Sequence, residues 1–378
     1  MDRPLRIGLV SPYDYASPGG VNHHIAQLGA QFRAWGHYVK VIAPCSDPRQ
    51  VTEEDFIPMG KAIPFPASGS TARISVSVWL RPRIKALLAR EAFDILHVHE
   101  PFASFVALGS LDVSKCVNIA TFHTFRGTRI YYLGVRRLGV PYFRKIHGRI
   151  AVSEPARQFI SKHYPAQYEI IPNGINPHEF ANAEPFPHLQ DGMINLLFVG
   201  RLEKRKGLKH LLGAYSKLKW EWPNLRLLVV GPGKPDEDSY RIMSERNLKD
   251  VTLLGAVSNE DKARYFKSAD IYCSPATGRE SFGIVLLEAM AAGKPIVATS
   301  IEGYRSVMSH EREGFLVPPK DEASLGEAIT TLLKDPDLRA RLGANGLQRA
   351  QEFTWDRIAK RVMDYYKTFL DRKVVVTG

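Results

Sequence analysis

Only three cysteines occur in 378 residues. Cys45, Cys116 and Cys273 are odd in number, far apart and without a Cys-x-x-Cys pair, which excludes a disulfide framework and a cysteine zinc site and fits a reducing cytosol. No uninterrupted apolar stretch approaches the roughly 20 residues needed to cross a bilayer. The first apolar run, residues 7–10, follows Arg3 and Arg6 directly and is far too short for a signal-peptide core. A Gly-x-Gly-x-x-Gly fingerprint is missing as well. Gly231-Pro232-Gly233 follows an apolar run, but Asp236 stands where the third glycine belongs, so dinucleotide binding is not expected. There is no internal repeat of roughly 20 to 50 residues and no low-complexity tail.

Acidic residues are absent from two long segments. Residues 56–90 hold no Asp or Glu but carry Lys61, Arg73, Arg81, Arg83, Lys85 and Arg90. Residues 121–150 repeat this with Arg126, Arg129, Arg136, Arg137, Arg144, Lys145 and Arg149. The excess behind the formal net charge of +12 therefore belongs to the N-terminal half. An anionic partner is expected, whether nucleic acid, an acidic lipid surface or a phosphorylated substrate.

What is present is an alternation of short β-rich apolar runs with amphipathic helical segments, the pattern of parallel sheets built from βαβ units. A chain this long exceeds the size at which single cores stop growing, so two domains are expected. Strands are predicted at 6–11, 38–43, 94–99, 117–122, 150–153 and 169–171. Val21, Ile25, Leu28, Phe32 and Trp35 form one stripe of the first helix. A polar, proline-bearing stretch at 183–188 suits a linker. The second series of strands is predicted at 196–200, 225–230, 251–254, 270–274 and 295–299, and two long helices, 337–352 and 355–370, close the chain.

Doubly wound sheets bind ligands at the carboxyl ends of their strands. Pro18-Gly19-Gly20-Val21 lies at such an end, and Gly19 with Gly20 reads either as a plain turn or as a phosphate-facing turn at a helix start. The loop Gly200-Arg201-Leu202-Glu203-Lys204-Arg205-Lys206-Gly207 is another. A departing diphosphate needs its growing charge neutralised, and Arg201 with Lys206 can do so without metal. The alternative is a solvated basic loop. Glu280-Ser281-Phe282-Gly283-Ile284 is a small-residue turn running into an apolar helix that carries Glu288. Glu280 suits sugar hydroxyls or a plain helix cap. Glu288 suits ribose hydroxyls or solvent, and its apolar neighbours favour ribose because an unpaired buried carboxylate is costly. The helix start offers amides and a positive dipole end to phosphate.

His97 and His99 lie two apart on one strand and face the same side. No third ligand at suitable spacing is evident, so no metal site is expected. Asp236-Glu237-Asp238 and Asp335-Pro336-Asp337 each precede a helical stretch and read as caps instead of the Asp-x-Asp of metal-dependent transferases.

Taken together, Glu280-x7-Glu288, the Gly-Arg-x4-Lys-Gly loop, the early Gly-Gly turn and Pro172-Asn173-Gly174 resemble a family 4 glycosyltransferase of the GT-B fold over almost the entire chain. Asp94-Ile95-Leu96-His97-Val98-His99-Glu100-Pro101, Ala120-Thr121-Phe122-His123-Thr124 and Glu280-Ser281-Phe282-Gly283 are most similar to bacterial phosphatidylinositol alpha-mannosyltransferases. The resemblance implies an α/β protein with two Rossmann-like doubly wound domains facing across a cleft. The N-terminal, acceptor- and membrane-facing domain would span 1–182, completed by a returning helix over about 356–378. The donor domain would span 183–355.

Site roles follow from the same resemblance. Gly19 and Gly20 would face the diphosphate, Arg201 and Lys206 the leaving phosphates, and Glu280 with Ser281, Phe282, Gly283 and Ile284 the donor sugar and phosphates. Glu288 would hold the ribose. His123 would sit beside the reacting sugar; from its position alone it also reads as an ordinary strand-end histidine. Such enzymes retain anomeric configuration, and the favoured mechanism is front-face attack without a side-chain nucleophile. No cofactor is implied, only a nucleotide-sugar donor, with GDP-mannose preferred and a UDP-hexose as the other candidate. Two positions depart from the pattern, both on the acceptor side: Phe102 replaces Asn after His-Glu-Pro, and Asn22 replaces Gln after Gly-Gly-Val.

The basic half suggests docking. Leu80, Ile84, Leu87 and Leu88 make a stripe flanked by Arg81, Arg83, Lys85 and Arg90, while Phe125, Tyr131, Tyr132, Tyr142 and Phe143 interleave with the second set of arginines. At roughly 1 kcal/mol per basic residue near an anionic leaflet, such a face suffices for peripheral binding. Arg81, Arg83, Lys85 and Arg126 are its candidate contacts. The same ingredients serve single-stranded nucleic acid, or an amphipathic core helix with a solvated basic edge. The expected protein is a cytoplasmic enzyme, peripheral on the inner face of the cell membrane, moving a hexose, mannose preferred, onto a phosphatidylinositol-type lipid. Its expected partners are a nucleotide sugar and anionic phospholipid, not nucleic acid. One rival is a family 4 enzyme acting on a soluble polyol, sugar phosphate or glycan. The other is a non-catalytic nucleic-acid or membrane-binding module, which leaves Glu280, Glu288, Arg201 and Lys206 unexplained together.

Overall fold

A computed structural model describes residues 3–17, 19–67, 70–124 and 139–376. Arg126, together with Phe125, Arg129, Tyr131, Tyr132, Arg136, Arg137 and Pro18 of the Gly-Gly turn, lies outside the described residues. The chain divides into two compact units, Met1–Gly174 with Trp355–Gly378 and Ile175–Thr354.

The first unit is built on β1 (Arg6–Val10), β2 (Tyr38–Ala43), β3 (Phe56–Pro58), β6 (Ile95–His99), β7 (Val117–Phe122), β8 (Gly148–Ala151) and β9 (Glu169–Ile170). They form a parallel sheet in the order β3-β2-β1-β6-β7-β8-β9. Between β3 and β6, β4 (Ile63–Ala67) and β5 (Ser70–Ile74) pair as a separate antiparallel hairpin. Both faces of a parallel sheet are covered, which is why its strands read as apolar runs. On one face Ile7, Leu9, Val41 and Ile95 pack with Ile25, Leu28 and Phe32 of α1 (Gly20–Ala34) and with Ile358, Val362 and Tyr366 of the C-terminal helix (Trp355–Val376). On the other, Val10, Ile42, Leu96 and Val98 pack with Ile84 and Leu87 of α2 (Arg81–Glu91) and Val106 and Leu111 of α3 (Phe105–Val113).

This packing corrects the docking stripe. Leu80, Ile84 and Leu87 are buried in the unit's own core and Leu88 packs against it, so α2 turns its apolar side inward. The exposed apolar surface lies just before it, at Val76, Val78 and above all Trp79, which is 84% exposed. Arg83 and Lys85 are exposed, and Arg81 pairs with Asp112 at 2.6 Å. Among the described residues no helix is long and apolar enough to cross a membrane.

The second unit is also parallel, with β10 (Ile194–Val199), β11 (Leu225–Val230), β12 (Val251–Gly255), β13 (Ile271–Ser274), β14 (Ile296–Thr299) and β15 (Gly314–Val317) in the order β12-β11-β10-β13-β14-β15. Helices α4 (Leu208–Glu221), α5 (Asn259–Ser268) and α6 (Ile284–Ala291) follow β10, β12 and β13. The unit begins upstream of the proline-bearing stretch. Phe180 is buried against Phe266, ring centroids 5.8 Å apart, and Phe186 packs on Tyr265 at 4.6 Å, so residues 183–188 are tied to the second core. Asp236 and Asp335 cap their helices, accepting from the Ser239 and Leu338 amides at 2.9 and 2.8 Å.

The chain leaves the first unit at Gly174 and re-enters it at Trp355. A Cβ on Gly174 would lie 2.5 Å from the Trp355 ring. Gly174→Ala is therefore expected to destabilise the first unit by about 1–3 kcal/mol, the usual range for overpacking. Thermal and urea unfolding of the purified chain measure this; an unchanged Tm would show that the indole yields without cost.

Candidate active site

In the second unit the strand order reverses between β10 and β13, and the loops leaving these two strands meet. Gly207 closes the first loop with φ +74°, and a Cβ there would collide with the Pro275 carbonyl. That close approach brings residues 200–207 against residues 275–283, with the Thr277 amide donating to the Arg205 carbonyl at 2.8 Å. Glu280 consequently sits among cations. Its Oε1 lies 2.7 Å from Lys206 Nζ and also accepts from Arg205 Nη1. Glu203 holds the arginines from the other side, 2.7 Å from Arg205 Nε and 3.2 Å from Arg201 Nη1. Arg201, Arg205 and Lys206 against Glu203 and Glu280 leave one positive charge in excess, suited to an anionic ligand.

Ser281, Phe282 and Gly283 lead from Glu280 into α6. Gly283 is the N-cap residue, in the left-handed region with φ +93°, and a Cβ there would lie 2.7 Å from Tyr304 Cδ1. No side chain caps this helix, so its first amides, beginning at Ile284, point out from a positive dipole end. Phe282 is buried and Ile284 is partly exposed. One turn further on, Glu288 is only 8% exposed. Lys262 of α5 lies 2.7 Å from its Oε1, while Oε2 is buried without a hydrogen-bond partner among the described residues. A buried acceptor without a donor is costly, and a ligand hydroxyl would satisfy it.

The first unit has the matching reversal between β1 and β6. Gly19 and Gly20 open α1, exposed and uncapped, and a Cβ on either meets nothing within 4 Å. Packing among the described residues therefore does not require glycine there. Across the reversal, His99 ends β6 and His123 follows β7, with His99 Nδ1 3.0 Å from His123 Nε2. His24, on the first turns of α1, stacks edge-on to both at 5.3 and 5.0 Å and places Nδ1 3.0 Å from Asn173 Oδ1. Burial holds all three imidazoles below their ordinary pKa, His24 at about 4, so they are neutral. His97 is bound on both sides, by Tyr366 Oη and Thr121 Oγ1, each at 2.6 Å.

Glu100 anchors this corner. Its φ of +43° is unusual for a residue with a side chain and costs about 1–3 kcal/mol. The conformation lets its Oε1 accept from the amides of His123 and, at 2.6 Å, Thr124. Burial raises its pKa against these bonds.

Two acceptor-side residues are placed differently from expectation. The Asn22 amide is engaged by its own loop, accepting from Ser11 Oγ at 2.7 Å and donating to the Asp14 and Ser17 carbonyls at 2.8 and 3.2 Å. Phe102 is buried and stacked on Tyr164, centroids 4.6 Å apart. In the structure, the polar atoms of the Asn22 side chain are engaged by its own loop and the Phe102 ring is buried. Sequence reasoning also missed Arg205, Lys262, Glu100, His24 and Asn173. Arg205 carried a signal as a further cation of the basic loop, and Glu100 and Asn173 as members of the segments that carry the family resemblance. The absence of a third ligand for His97 and His99 is corrected too, since His24 and His123 join His99 while His97 is diverted.

The family model described as Glycosyltransferase Family 4 matches residues 18–179, and that described as Glycosyl transferases group 1 matches residues 182–349. The phosphatidyl-myo-inositol mannosyltransferase of Mycobacterium leprae is 38% identical over 371 residues, covering 96% of this chain and 97% of its own. Among solved structures, sucrose-phosphate synthase from Thermosynechococcus elongatus superposes with a TM-score of 0.75 at 24% identity, covering 97% of this chain and 99% of its own. Anabaena HepE, in complex with UDP-glucose, gives 0.76 at 17% identity, covering 96% and 100%. Two parallel Rossmann-like units of the GT-B fold, these two family models and that full-length identity establish that the chain belongs to the family 4 glycosyltransferases.

Proposed function

We propose that the chain transfers a mannosyl group from GDP-mannose to a hydroxyl of a phosphatidylinositol-type lipid, with retention of configuration, at the cytoplasmic face of an anionic membrane. The observation that carries the donor half is Glu280 held between Arg205 and Lys206 beside the uncapped start of α6. A bound diphosphate takes Arg201 and Lys206 as counter-charges, and Glu280 then accepts from sugar hydroxyls. Glu288 Oε2 accepts from ribose. In the transfer, the acceptor oxygen bonds to C1 of mannose on the face from which the diphosphate departs. The C1–O bond to phosphate breaks, and the hydroxyl proton passes to the leaving phosphate oxygen. Charge grows on the diphosphate as this bond breaks, so the cations act on the transition state. His123, neutral and fixed through its backbone by Glu100, serves the acceptor side as a hydrogen-bonding group, not as a nucleophile. Mannose as the sugar and phosphatidylinositol as the acceptor are supported by the 38%-identical mannosyltransferase.

The deciding assay offers GDP-mannose and UDP-glucose, with and without phosphatidylinositol vesicles. Mannosylated lipid formed only from GDP-mannose is expected, and transfer confined to a soluble polyol or sugar phosphate would refute the lipid acceptor. Glu280→Gln, Arg201→Ala and Lys206→Ala should each lower turnover at least about tenfold with the fold intact. Wild-type rates in both basic variants would remove the site.

Turnover should persist in excess EDTA, because arginine, lysine and a helix N-terminus supply the counter-charge. Complete loss restored by a divalent ion would overturn this.

Docking is expected to rest on Arg81, Arg83 and Lys85 around the exposed Trp79. Exposed charges are screened over about 8 Å at physiological ionic strength, so binding to anionic vesicles should fall steeply with salt, and neutral vesicles should bind poorly. Replacing the three basic residues with Ser should reduce vesicle binding and lipid turnover while donor affinity, by calorimetry, stays unchanged. The helix should survive, since its buried side is untouched and the exposed Arg81–Asp112 pair contributes about 0–1 kcal/mol. Equal binding to neutral and anionic vesicles would reject electrostatic docking.

A further inference from the structure

The histidine cluster offers more than a support for His123. One ring nitrogen from each of His24, His99 and His123 can be chosen so that all three lie within 4.8 Å of one another. Zinc–imidazole bonds of about 2.0–2.1 Å place tetrahedral ligand nitrogens about 3.3 Å apart. The His99–His123 pair, at 3.0 Å, is already near that spacing, and side-chain rotation of His24 would have to shorten the other two separations, which lie within 4.8 Å. Asn173 Oδ1 engages His24 Nδ1, which assigns the proton to Nδ1 and leaves Nε2 as the lone-pair nitrogen. An oxygen acceptor on the far ring nitrogen is the arrangement that orients ligating histidines. With Nδ1 as the nitrogen of His99 that faces His123, its other nitrogen, Nε2, is buried and has no hydrogen-bond partner among the described residues, so these residues alone do not complete the hydrogen bonding around His99.

The neighbouring groups define the ligand set. His97 stacks on His99 at 4.3 Å but has both nitrogens occupied, and the Glu100 Oε1 is bound to backbone amides. Three neutral imidazoles without a carboxylate select zinc, cobalt, nickel or copper over magnesium and calcium. His123 is half-buried, whereas His24 and His99 are buried.

We propose that His24, His99 and His123 form a binding site for a divalent transition metal of the zinc class, and that its occupation inhibits the transferase by removing His123 from its task. Only the inhibitory half rests on the proposed transfer reaction; binding is read without donor or acceptor. The full chain, free of any affinity tag and stripped with EDTA, is titrated with Co²⁺ and its visible absorption followed, then with Zn²⁺ by competition. One equivalent per chain is expected, with the intense bands of nitrogen-ligated cobalt, and no response to Mg²⁺. His24→Gln and His123→Gln should each weaken zinc binding at least tenfold. His99→Gln, at a fully buried position, is compared by circular dichroism first, and the two former variants decide if it fails to fold. Zn²⁺ at the concentration that saturates the cobalt-competition curve should suppress mannosyl transfer, and EDTA should restore it. Absence of cobalt bands, or zinc affinity untouched in both His24→Gln and His123→Gln, would overturn the site. Saturation with zinc at undiminished turnover would overturn the inhibition while leaving the site.

Discussion

In a parallel sheet all strands end on one side, and where the order reverses, the two neighbouring connections run apart and leave a gap that no helix covers. The proposed chemistry of both units depends on that gap. In the second unit it is lined by backbone packed so tightly that Gly207 and Gly231 have no room for a Cβ, against the carbonyls of Pro275 and Gly200. These contacts, and not the long side chains themselves, set where Arg201, Arg205 and Lys206 start and where Glu280 must lie. In the first unit the gap is flanked by β1 and β6, and three histidines from α1, β6 and the end of β7 converge on it.

Most strands were legible because burial on both faces makes a parallel strand a plain apolar run. β2, β7 and β11 match their predicted bounds. β3 was missed because Phe56–Pro58 is an edge strand of three residues ending in proline, and β15 because Gly314–Val317 follows the charged run Glu311-Arg312-Glu313. The α2 stripe shows a different limit: amphipathic spacing reports that one side of a helix is apolar, but not whether core or lipid covers it. The donor-side loops were readable because glycines, cations and a carboxylate lie within short segments. The histidine cluster was not. Residues 24, 99 and 123 are brought together by strand order, which local spacing does not encode.

Buried polar groups divide into those the protein satisfies and those it leaves open. Asn22, His97 and Glu100 are each answered by loop, strand or helix partners, and they hold the gap's edges in place. Glu288 Oε2 and His99 Nε2 are not, among the described residues; they are two of twelve such buried side-chain atoms there, each costing about 1–3 kcal/mol if it stays orphaned. The strained Glu100 carries a cost as well. Its left-handed backbone is tolerated because its carboxylate fixes two consecutive amides, and with them the direction of His123.

The charge network around Glu280 explains how a site rich in cations can stand ready without collapsing. Arg205 and Lys206 would repel each other if left alone, and Glu203 and Glu280 neutralise most of that charge, holding the side chains in place through short ion pairs. An incoming diphosphate brings more negative charge than one carboxylate and can displace Glu280 from Lys206 without leaving the lysine unpaired. Glu280 can keep Arg205 as its counter-charge in that exchange. On the proposed function, Arg205 would have a role distinct from Arg201 and Lys206: it would hold the sugar-facing carboxylate while they hold the phosphates. Replacement of Glu280 by a neutral residue would leave three cations facing one carboxylate, strengthening the hold on the nucleotide product as the grip on the sugar is lost.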